Sequence, residues 1–398
     1  MPLERIEPLF QAIEHGCLAG MFEAAWDVYW TRIAGESNAV RTRRFAASPR
    51  LTLCLMRFCD SPEFRPVPSL KPAIRARILQ EVGHYLFVTG RLREGQAVLE
   101  NALAAWEGQS DSYQAAIVAR LAREAHLLLG NLELAESLAH RSVEHANNSK
   151  RPDRRLTESA GLGQVLHHRG KRTEAKDTFE SAETILRDRG WGEFLISFSG
   201  FWYCDFLLDE LLLEFMHQSR HSRSEEHQTR EGLRRVRERA DLMTRKAAQH
   251  RYLIDTALAR CVHGLAETVE SRVFGVRPTI AALEETTRAV ADLRRTGQQH
   301  HLVRGLLIRS EVFSHAGETA QAIDSLQEAE VIAHSCDMQL LLADIRLCRA
   351  RLFHGVNAYP WKSPQEDLAS ARRLIEQCGY HRRDEELADV EAGINPAA

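Results

Sequence analysis

Several familiar signatures are missing from this 398-residue sequence, and each absence narrows the range of functions. No apolar run is long enough to span a bilayer, so we do not expect a membrane partner. The amino-terminal MPLERIEPLF is acidic and amphipathic and does not resemble a signal peptide. The eight cysteines are scattered and form no CxxC pair. We interpret them as reduced, buried thiols of a cytoplasmic protein.

Motifs of catalysis and of metal binding are missing as well. There is no GxxxxGK[ST] loop and no strand pattern to carry one, so hydrolysis of a nucleotide by that route is not expected of this chain. A GxSxG nucleophile elbow is also absent. The histidines at 217, 221 and 227 lie in a Ser/Arg/Glu-rich segment, and the doublets at 167–168 and 300–301 point neighbouring side chains in different directions. We therefore expect no enzyme, no cofactor and no metal site.

The charge balance argues against a dedicated nucleic-acid binder. The formal net charge is −3, whereas such proteins usually have a net basic domain. Local arginine clusters exist, but aromatic residues do not alternate with them as in a single-strand binding platform. We interpret these clusters as solvated surface and do not expect nucleic acid as a partner. The clustered residues are Arg41, Arg43, Arg44, Arg50, Arg151, Arg154 and Arg155.

The sequence does contain a phrase that recurs every 40 residues. Each copy has a glycine at its eighth position and small residues five and twelve positions further on. Periods of 20–50 residues are typical of stacked repeats, and this pattern predicts a helix–turn–helix solenoid. Four copies begin at Gly83, Arg123, Gly163 and Ser310, and their glycines are Gly90, Gly130, Gly170 and Gly317.

Apolar residues at spacings of three and four run through almost every segment, and no convincing alternating strand is present. We predict an all-α, right-handed superhelical solenoid of about seven helix pairs with a charge-rich capping helix at the carboxyl end. Three regions follow from the pattern. They are an N-terminal repeat and irregular connector (1–72), a regular array (73–190), and a divergent array (191–398) with a long polar loop near 217–229 and the cap.

The spacing of glycine, alanine and aromatic residues resembles the tetratricopeptide repeat (TPR). In that family the first helix of each unit lines a concave groove, which implies a set of groove residues here. The set is polar and of mixed charge, which suits a peptide or protein segment; the alternative is that these are ordinary solvated helix faces. The implied groove residues are Arg77, Gln80, His84, Arg120, Glu124, Gln164, His167, Phe201, Asp205, Arg304, Glu311 and Arg346.

Longer phrases, including YCDFLL at 203–208 and GYHRRDEEL at 379–387, resemble the C-terminal repeat region of bacterial signal-transduction (STAND) ATPases. Those proteins carry a NACHT- or NB-ARC-like module, and their repeats act as the sensor. The resemblance implies a protein trigger, such as a phage protein, and an ATPase or effector module in the same or another chain. Segments 209–232 and 356–364 depart from the family pattern.

We therefore expect a sensor or scaffold that binds a protein on its concave face. Two alternatives stay open, a free-standing adaptor and a small-molecule sensor, and a closed apolar pocket inside the superhelix would favour the latter. Polar residues in the family-like phrases could contact a trigger. For Asp255 and Asp344 the alternative is a structural role as caps or interhelix pairs, and for 380–383 we favour closure of the C-terminal cap.

Overall fold

The computed structural model describes residues 7–34, 49–60, 64–217, 223–250 and 252–394. These ranges contain no β-strand, and eighteen α-helices follow one another along them. The predicted all-α superhelical array is thereby confirmed. Sixteen of the helices form eight pairs, against about seven predicted, and the other two are a single helix near the amino end and the cap.

A small aromatic bundle begins the array. Its helices are α1 (Glu7–Leu18), α2 (Phe22–Val28), which continues as a π-helical turn (Tyr29–Ala34), and α3 (Pro49–Met56). The ring of Trp26 stacks on Tyr29 with centroids 5.2 Å apart and meets Phe58 edge-on at 5.6 Å. Arg77, from the next helix, lies 5.2 Å from the ring centroid of Trp30. This contact joins the bundle to the array.

The first half of the array consists of three nearly identical helix pairs. They are α4 (Pro72–Val88) with α5 (Leu92–Glu107), α6 (Ser112–Leu128) with α7 (Leu132–Asn148), and α8 (Pro152–His168) with α9 (Arg172–Asp188). Each pair turns at a glycine with positive φ: 89° at Gly90, 83° at Gly130 and 73° at Gly170. A side chain is strained in this conformation, which explains the glycine at the eighth position of each copy.

Matched side-chain volumes hold each pair together. A Cβ added at Gly83 would lie 2.7 Å from Leu99, and one at Gly163 would lie 3.0 Å from Phe179. The middle copy exchanges the sizes, with the large Arg123 on its first helix and a buried Ala139 at the equivalent position of its second. Large and small residues therefore alternate between facing helices, as close packing requires.

The second half begins with three longer helices and continues with five helices of 15 or 17 residues. They are α10 (Ser197–Met216), α11 (Arg223–His250), α12 (Leu253–Phe274), α13 (Ile280–Thr296), α14 (Gln299–His315), α15 (Thr319–Ser335), α16 (Gln339–Phe353) and α17 (Pro364–Cys378). A 3-10 turn (His381–Arg383) leads into the cap α18 (Asp384–Ile394). The predicted capping helix is present.

The polar loop predicted near 217–229 is wrong for residues 223–229, because α11 begins at Arg223; residues 218–222 lie outside the described ranges. The helix has a narrow buried stripe with alternating spacings of four and three residues. That stripe packs against the array, while Glu231, Arg234 and Arg235 form ion pairs on the solvent side. Its members are Thr229, Leu233, Val236, Ala240, Met243 and Ala247.

The array closes on itself along a seam between its two halves. The turn glycines of the first half lie directly against residues near the starts and ends of helices in the second half. A Cβ at Gly90 would lie 2.3 Å from Cys336 Sγ, and one at Gly130 would lie 2.5 Å from Cys378 Sγ. Gly170 meets His381 in the same way. The second half of the array therefore packs directly against the turns of the first half.

None of the helices described combines the length and the apolar character that crossing a membrane requires.

Candidate ligand cavity

A cavity of about 130 Å³ lies inside the second half of the array. The first helices of four consecutive pairs, α10, α12, α14 and α16, line it together with the 3-10 turn and the start of α18. The second helices of those pairs contribute nothing to the lining. The cavity therefore occupies the inner face of the superhelix, where the repeat pattern predicts a binding surface.

The lining joins an apolar wall to a dense set of charges. Five carboxylates and five guanidinium groups face the cavity, so the formal charge of the lining is zero. Hydrophobic side chains, among them Phe201, Leu307 and Ile308, separate these groups. The charged residues are Asp205, Asp209, Glu311, Asp344, Glu386, Arg272, Arg304, Arg351, Arg382 and Arg383.

Arg382 is the centre of the ion pairs on the α10 side. Its guanidinium donates to both oxygens of Asp205, at 2.6 and 2.9 Å, although 177 residues separate the two in sequence. It also lies 3.2 Å from Asp209, which His167 Nε2 approaches at 2.9 Å. This network holds the C-terminal turn against α10 and α8. Bidentate geometry makes such a pair strong and directional.

A second network surrounds Glu386. Arg383, Arg351 and Arg272 reach this carboxylate at 2.8, 3.0 and 3.4 Å. Arg351 is also paired with Glu311. The cap helix α18 is thereby tied to α12 and α16, and through Glu311 to α14.

Asp205 and Glu386 remain ionised in this cavity. Burial alone would raise the pKa of Asp205, but Arg382 outweighs it and lowers the pKa below the usual range. At Glu386, burial is likewise outweighed by Arg383, Arg351 and Arg272, which lower the pKa to about 2. Burial lowers the pKa of the neighbouring His168 well below its usual value, with a further contribution from Arg382. Around neutral pH the lining therefore carries fixed charges of both signs.

The phrase at 380–383 does more than close the cap. Tyr380 donates to Asp344 at 3.2 Å and Arg383 donates to the same carboxylate at 2.8 Å, which agrees with the structural alternative for Asp344. Asp255 also has a structural partner, because Ser197 Oγ donates to it at 2.8 Å. However, Tyr380, Arg382 and Arg383 also line the cavity, so the structural and ligand-contacting interpretations meet in the same residues.

The twelve predicted groove residues lie in three different places. Four of them line the cavity: Phe201, Asp205, Arg304 and Glu311. Arg346 lies outside it and pairs with Asp367 at 2.7 Å, beside a separate hollow at the start of α17.

The other seven predicted groove residues belong to the first half, whose inner face is partly covered by α14, α16 and the C-terminal turn. Gln80, Gln164 and His167 are buried. Gln80 accepts a hydrogen bond from Trp106 at 2.9 Å, and Arg77 lies over the same indole. His84 packs against Tyr85. Arg120 pairs with Glu124 at 2.8 Å.

Four charged lining residues escaped the sequence analysis: Asp209, Arg272, Arg351 and Glu386. A helical signal was available for one of them. Asp209 lies one turn beyond Asp205 on α10, and residues four apart share a face of a helix. Arg272 and Glu386 lie beyond the repeat phrases, and no local pattern marks them as facing inwards.

The described part of the chain contains no group of three or more His, Cys, Asp or Glu side chains placed to hold a metal ion.

Comparison with solved structures finds the same architecture in Rap proteins. The Rap conjugation gene regulator of plasmid pLS20, solved with the Phr* peptide, is similar over 96% of this chain and 98% of its own, with a TM-score of 0.57 and 12% identity. A Rap protein complexed with Competence and Sporulation Factor is similar over 98% of this chain and 100% of its own, with a TM-score of 0.52 and 12% identity. At this identity the likeness establishes a shared TPR-like helical-repeat fold. No protein-family model and no curated protein sequence matches the chain.

Proposed function

We propose that this protein is a regulatory recognition module whose interior cavity binds a peptide or a short segment of a protein. The observation that carries the proposal is the lining itself, in which the first helices of four consecutive pairs present apolar surface and fixed charges to one cavity. Binding sites typically combine these features. The similar pLS20 regulator was solved with a peptide, which supports the same ligand class here.

The proposed mechanism is a shift between arrangements of the array. Lining residues come from both ends of the second half, and the ion pairs of Arg382 and Glu386 connect those ends. A ligand that fits one arrangement better than another shifts the population by its difference in affinity for the two. The resulting change in the cap and the outer helices would be read by a partner protein.

The test uses a random-sequence pentapeptide mixture and mass spectrometry of the peptides that the purified chain retains. The variant Leu307→Trp places an indole in the cavity, whereas Val331→Trp adds the same group at an exposed position of α15. Circular dichroism establishes that both variants fold. We expect retention by the unmodified chain and by Val331→Trp, and loss in Leu307→Trp. Equal retention by Leu307→Trp would place the binding elsewhere and contradict the proposal.

The size of the cavity also favours a second candidate, a small-molecule sensor. A space of about 130 Å³ is comparable to an engineered cavity of roughly 150 Å³ that binds benzene in another protein. The mixed lining makes a polar organic molecule the expected ligand. Thermal stabilisation by a metabolite, lost in Leu307→Trp and with no peptide retained, would support this candidate over the first.

The resemblance to STAND sensors supports a finer proposal, that the ligand belongs to a protein trigger and that the array controls an ATPase module in the same or another chain. Its test is a nucleotide-hydrolysis assay on such a module together with this array, with and without the trigger. Hydrolysis that stays unchanged when the trigger binds would contradict it.

A further inference from the structure

Not every charged side chain in the cavity lining forms an ion pair. Each of the five carboxylates is held by at least one arginine, and four of the five arginines hold at least one carboxylate. The exception is Arg304 on α14. Within the described residues, no carboxylate oxygen lies within 4.0 Å of its guanidinium group, and no side-chain hydrogen bond engages it.

Several neighbours of Arg304 carry no charge. The nearby groups on which its charge acts include His168, His300 and Tyr380, all of which are buried and uncharged around neutral pH. Arg304 itself is only partly buried and faces the cavity. Arg304 is therefore the one arginine of the lining that forms no ion pair within the described residues, although the lining as a whole is formally neutral.

An unmatched charge in a partly desolvated site is costly unless a partner neutralises it. The same physics makes the site attractive to an anion, and a planar guanidinium matches a carboxylate in two parallel hydrogen bonds. Next to Arg304 on α14 are Leu307 and Ile308, and Phe201 faces them from α10. The natural complement of this surface is a carboxylate attached to an apolar group.

We propose that Arg304 is the anchor for a free carboxylate of the ligand, with the apolar part of the same ligand packed on Phe201, Leu307 and Ile308. This inference rests on the proposed function, because it assigns the chemistry of the same cavity. The volume of about 130 Å³ accommodates one residue or a small acid, and the rest of a longer ligand would extend through the open side of the cavity. The carboxyl-terminal residue of a short peptide and a small apolar organic acid share this chemistry.

The experiment compares two pentapeptide pools synthesised without Asp and Glu, one with free carboxyl termini and one with amidated termini. Since these pools contain no acidic side chain, the terminal group is their only difference in carboxylate content. Hexanoate serves as the small-acid probe. Retention is measured by mass spectrometry of the bound peptides, and hexanoate binding by calorimetry, both on the full chain.

The variants are Arg304→Gln and a matched control, Arg309→Gln. Arg309 lies on the same helix and also has no ion pair within the described residues, but its guanidinium packs over Phe313 at 4.9 Å and does not line the cavity. We expect retention of the free-acid pool at least tenfold above the amidated pool. That preference should disappear in Arg304→Gln and persist in Arg309→Gln.

The outcomes separate the inference from the function on which it rests. Equal retention of both pools, unchanged in Arg304→Gln, would overturn the carboxylate anchor and leave peptide binding intact. Hexanoate binding that needs Arg304, with neither pool retained, would support the anchor and contradict peptide binding. Preference for the free-acid pool without hexanoate binding identifies a peptide terminus as the source. No binding of any probe would contradict both.

Discussion

The two halves of the array are both built from helix pairs, but the lengths of their helices and their interiors differ. In the first half, α4, α6 and α8 each have 17 residues and begin 40 residues apart. In the second half, α10, α11 and α12 have 20, 28 and 22 residues. The regular half is packed through its interior, whereas the irregular half encloses the cavity. In this array the regular pairs of the first half form a scaffold, and the long helices α10 and α12 line the cavity together with α14 and α16.

The halves also depend on each other. The inner face of the first half is covered by residues of the second, as where Phe87 packs on His300 with centroids 4.8 Å apart. Likewise, His168 meets the ring of Tyr380 edge-on at 5.4 Å. In an open solenoid each repeat contacts only its neighbours, so these long-range contacts add cooperativity that such an array lacks.

The largest expected effect comes from breaking the C-terminal ion pair. In Arg382→Met, Asp205 and Asp209 lose the guanidinium that compensates their burial. Removing one partner of a buried pair costs about 3–5 kcal/mol. We expect a loss of that size in the free energy of unfolding, measured by urea denaturation. Arg372→Met, at an exposed pair with Glu391, is the control. Similar losses in the two variants would show that the C-terminal turn does not hold the array.

The seam can be tested with a second pair of variants. Gly90→Ala and Gly190→Ala both place a side chain at positive φ, but only the first meets a neighbour, Cys336 Sγ. We expect Gly90→Ala to destabilise the protein by about 1–3 kcal/mol more than Gly190→Ala, because overpacking is added to backbone strain. Cys336→Ala should restore part of the difference in thermal denaturation. Equal effects of the two glycine substitutions would mean that the seam is open in solution.

Acid should weaken the contact between the halves. Burial, opposed by Glu124 and aided by Arg304, lowers the pKa of His300 to about 4. The unfolded chain has a histidine pKa of about 6.5, so it binds more protons than the folded chain between these values. The stability that His300 contributes is complete above about pH 6.5 and is lost as the pH falls towards 4.

From pH 7 to pH 5 this group alone should remove about 2 kcal/mol from the free energy of unfolding. His300→Phe, compared in urea denaturation at both pH values, should lose correspondingly less stability on acidification. His227→Gln, at an exposed position of α11, should behave like the unmodified protein. An unchanged pH response in His300→Phe would show that another group governs the acid sensitivity.

The smallest effect on stability is expected at the outer surface, away from the C-terminal ion pairs and from the seam. Arg294 and Glu328 form an exposed pair at 2.6 Å between α13 and α15. Exposed pairs contribute about 0–1 kcal/mol. Arg294→Ala should therefore change the thermal midpoint by no more than a few degrees. A loss as large as that of Arg382→Met would mean that the outer helices carry more of the stability than the interior does.

Much of the fold follows from local patterns in the sequence. The turn glycines at 90, 130, 170 and 317 were predicted from their spacing, and all four have positive φ. The packing of Leu99 on Gly83 follows from the same spacing. The start of α11 was missed because its polar composition suggested a loop, although the stripe from Thr229 to Ala247 has helical spacing. Periodicity was the better guide there, since an outer helix needs only one narrow apolar face.

The cavity could be predicted only in part. Phe201, Asp205, Arg304 and Glu311 were identified because they occupy inner positions of recognisable repeats. The closure of the superhelix was not predictable from the period, because a repeat fixes contacts between neighbours and not between residues 205 and 382. For this reason His167 is buried beside Asp209, which Arg382 from the distant C-terminal turn also contacts, whereas Gln80 is buried against Trp106 of its own helix pair.

The central claim is that the ligand binds inside the second half of the array, and amide hydrogen exchange with and without a retained pentapeptide tests it most directly. We predict slower exchange in the lining helices α10, α12, α14 and α16 and in the turn at 380–383, with little change in α5, α7 and α9. Protection confined to α5, α7 and α9, with unchanged exchange in α14 and α16, would contradict the account.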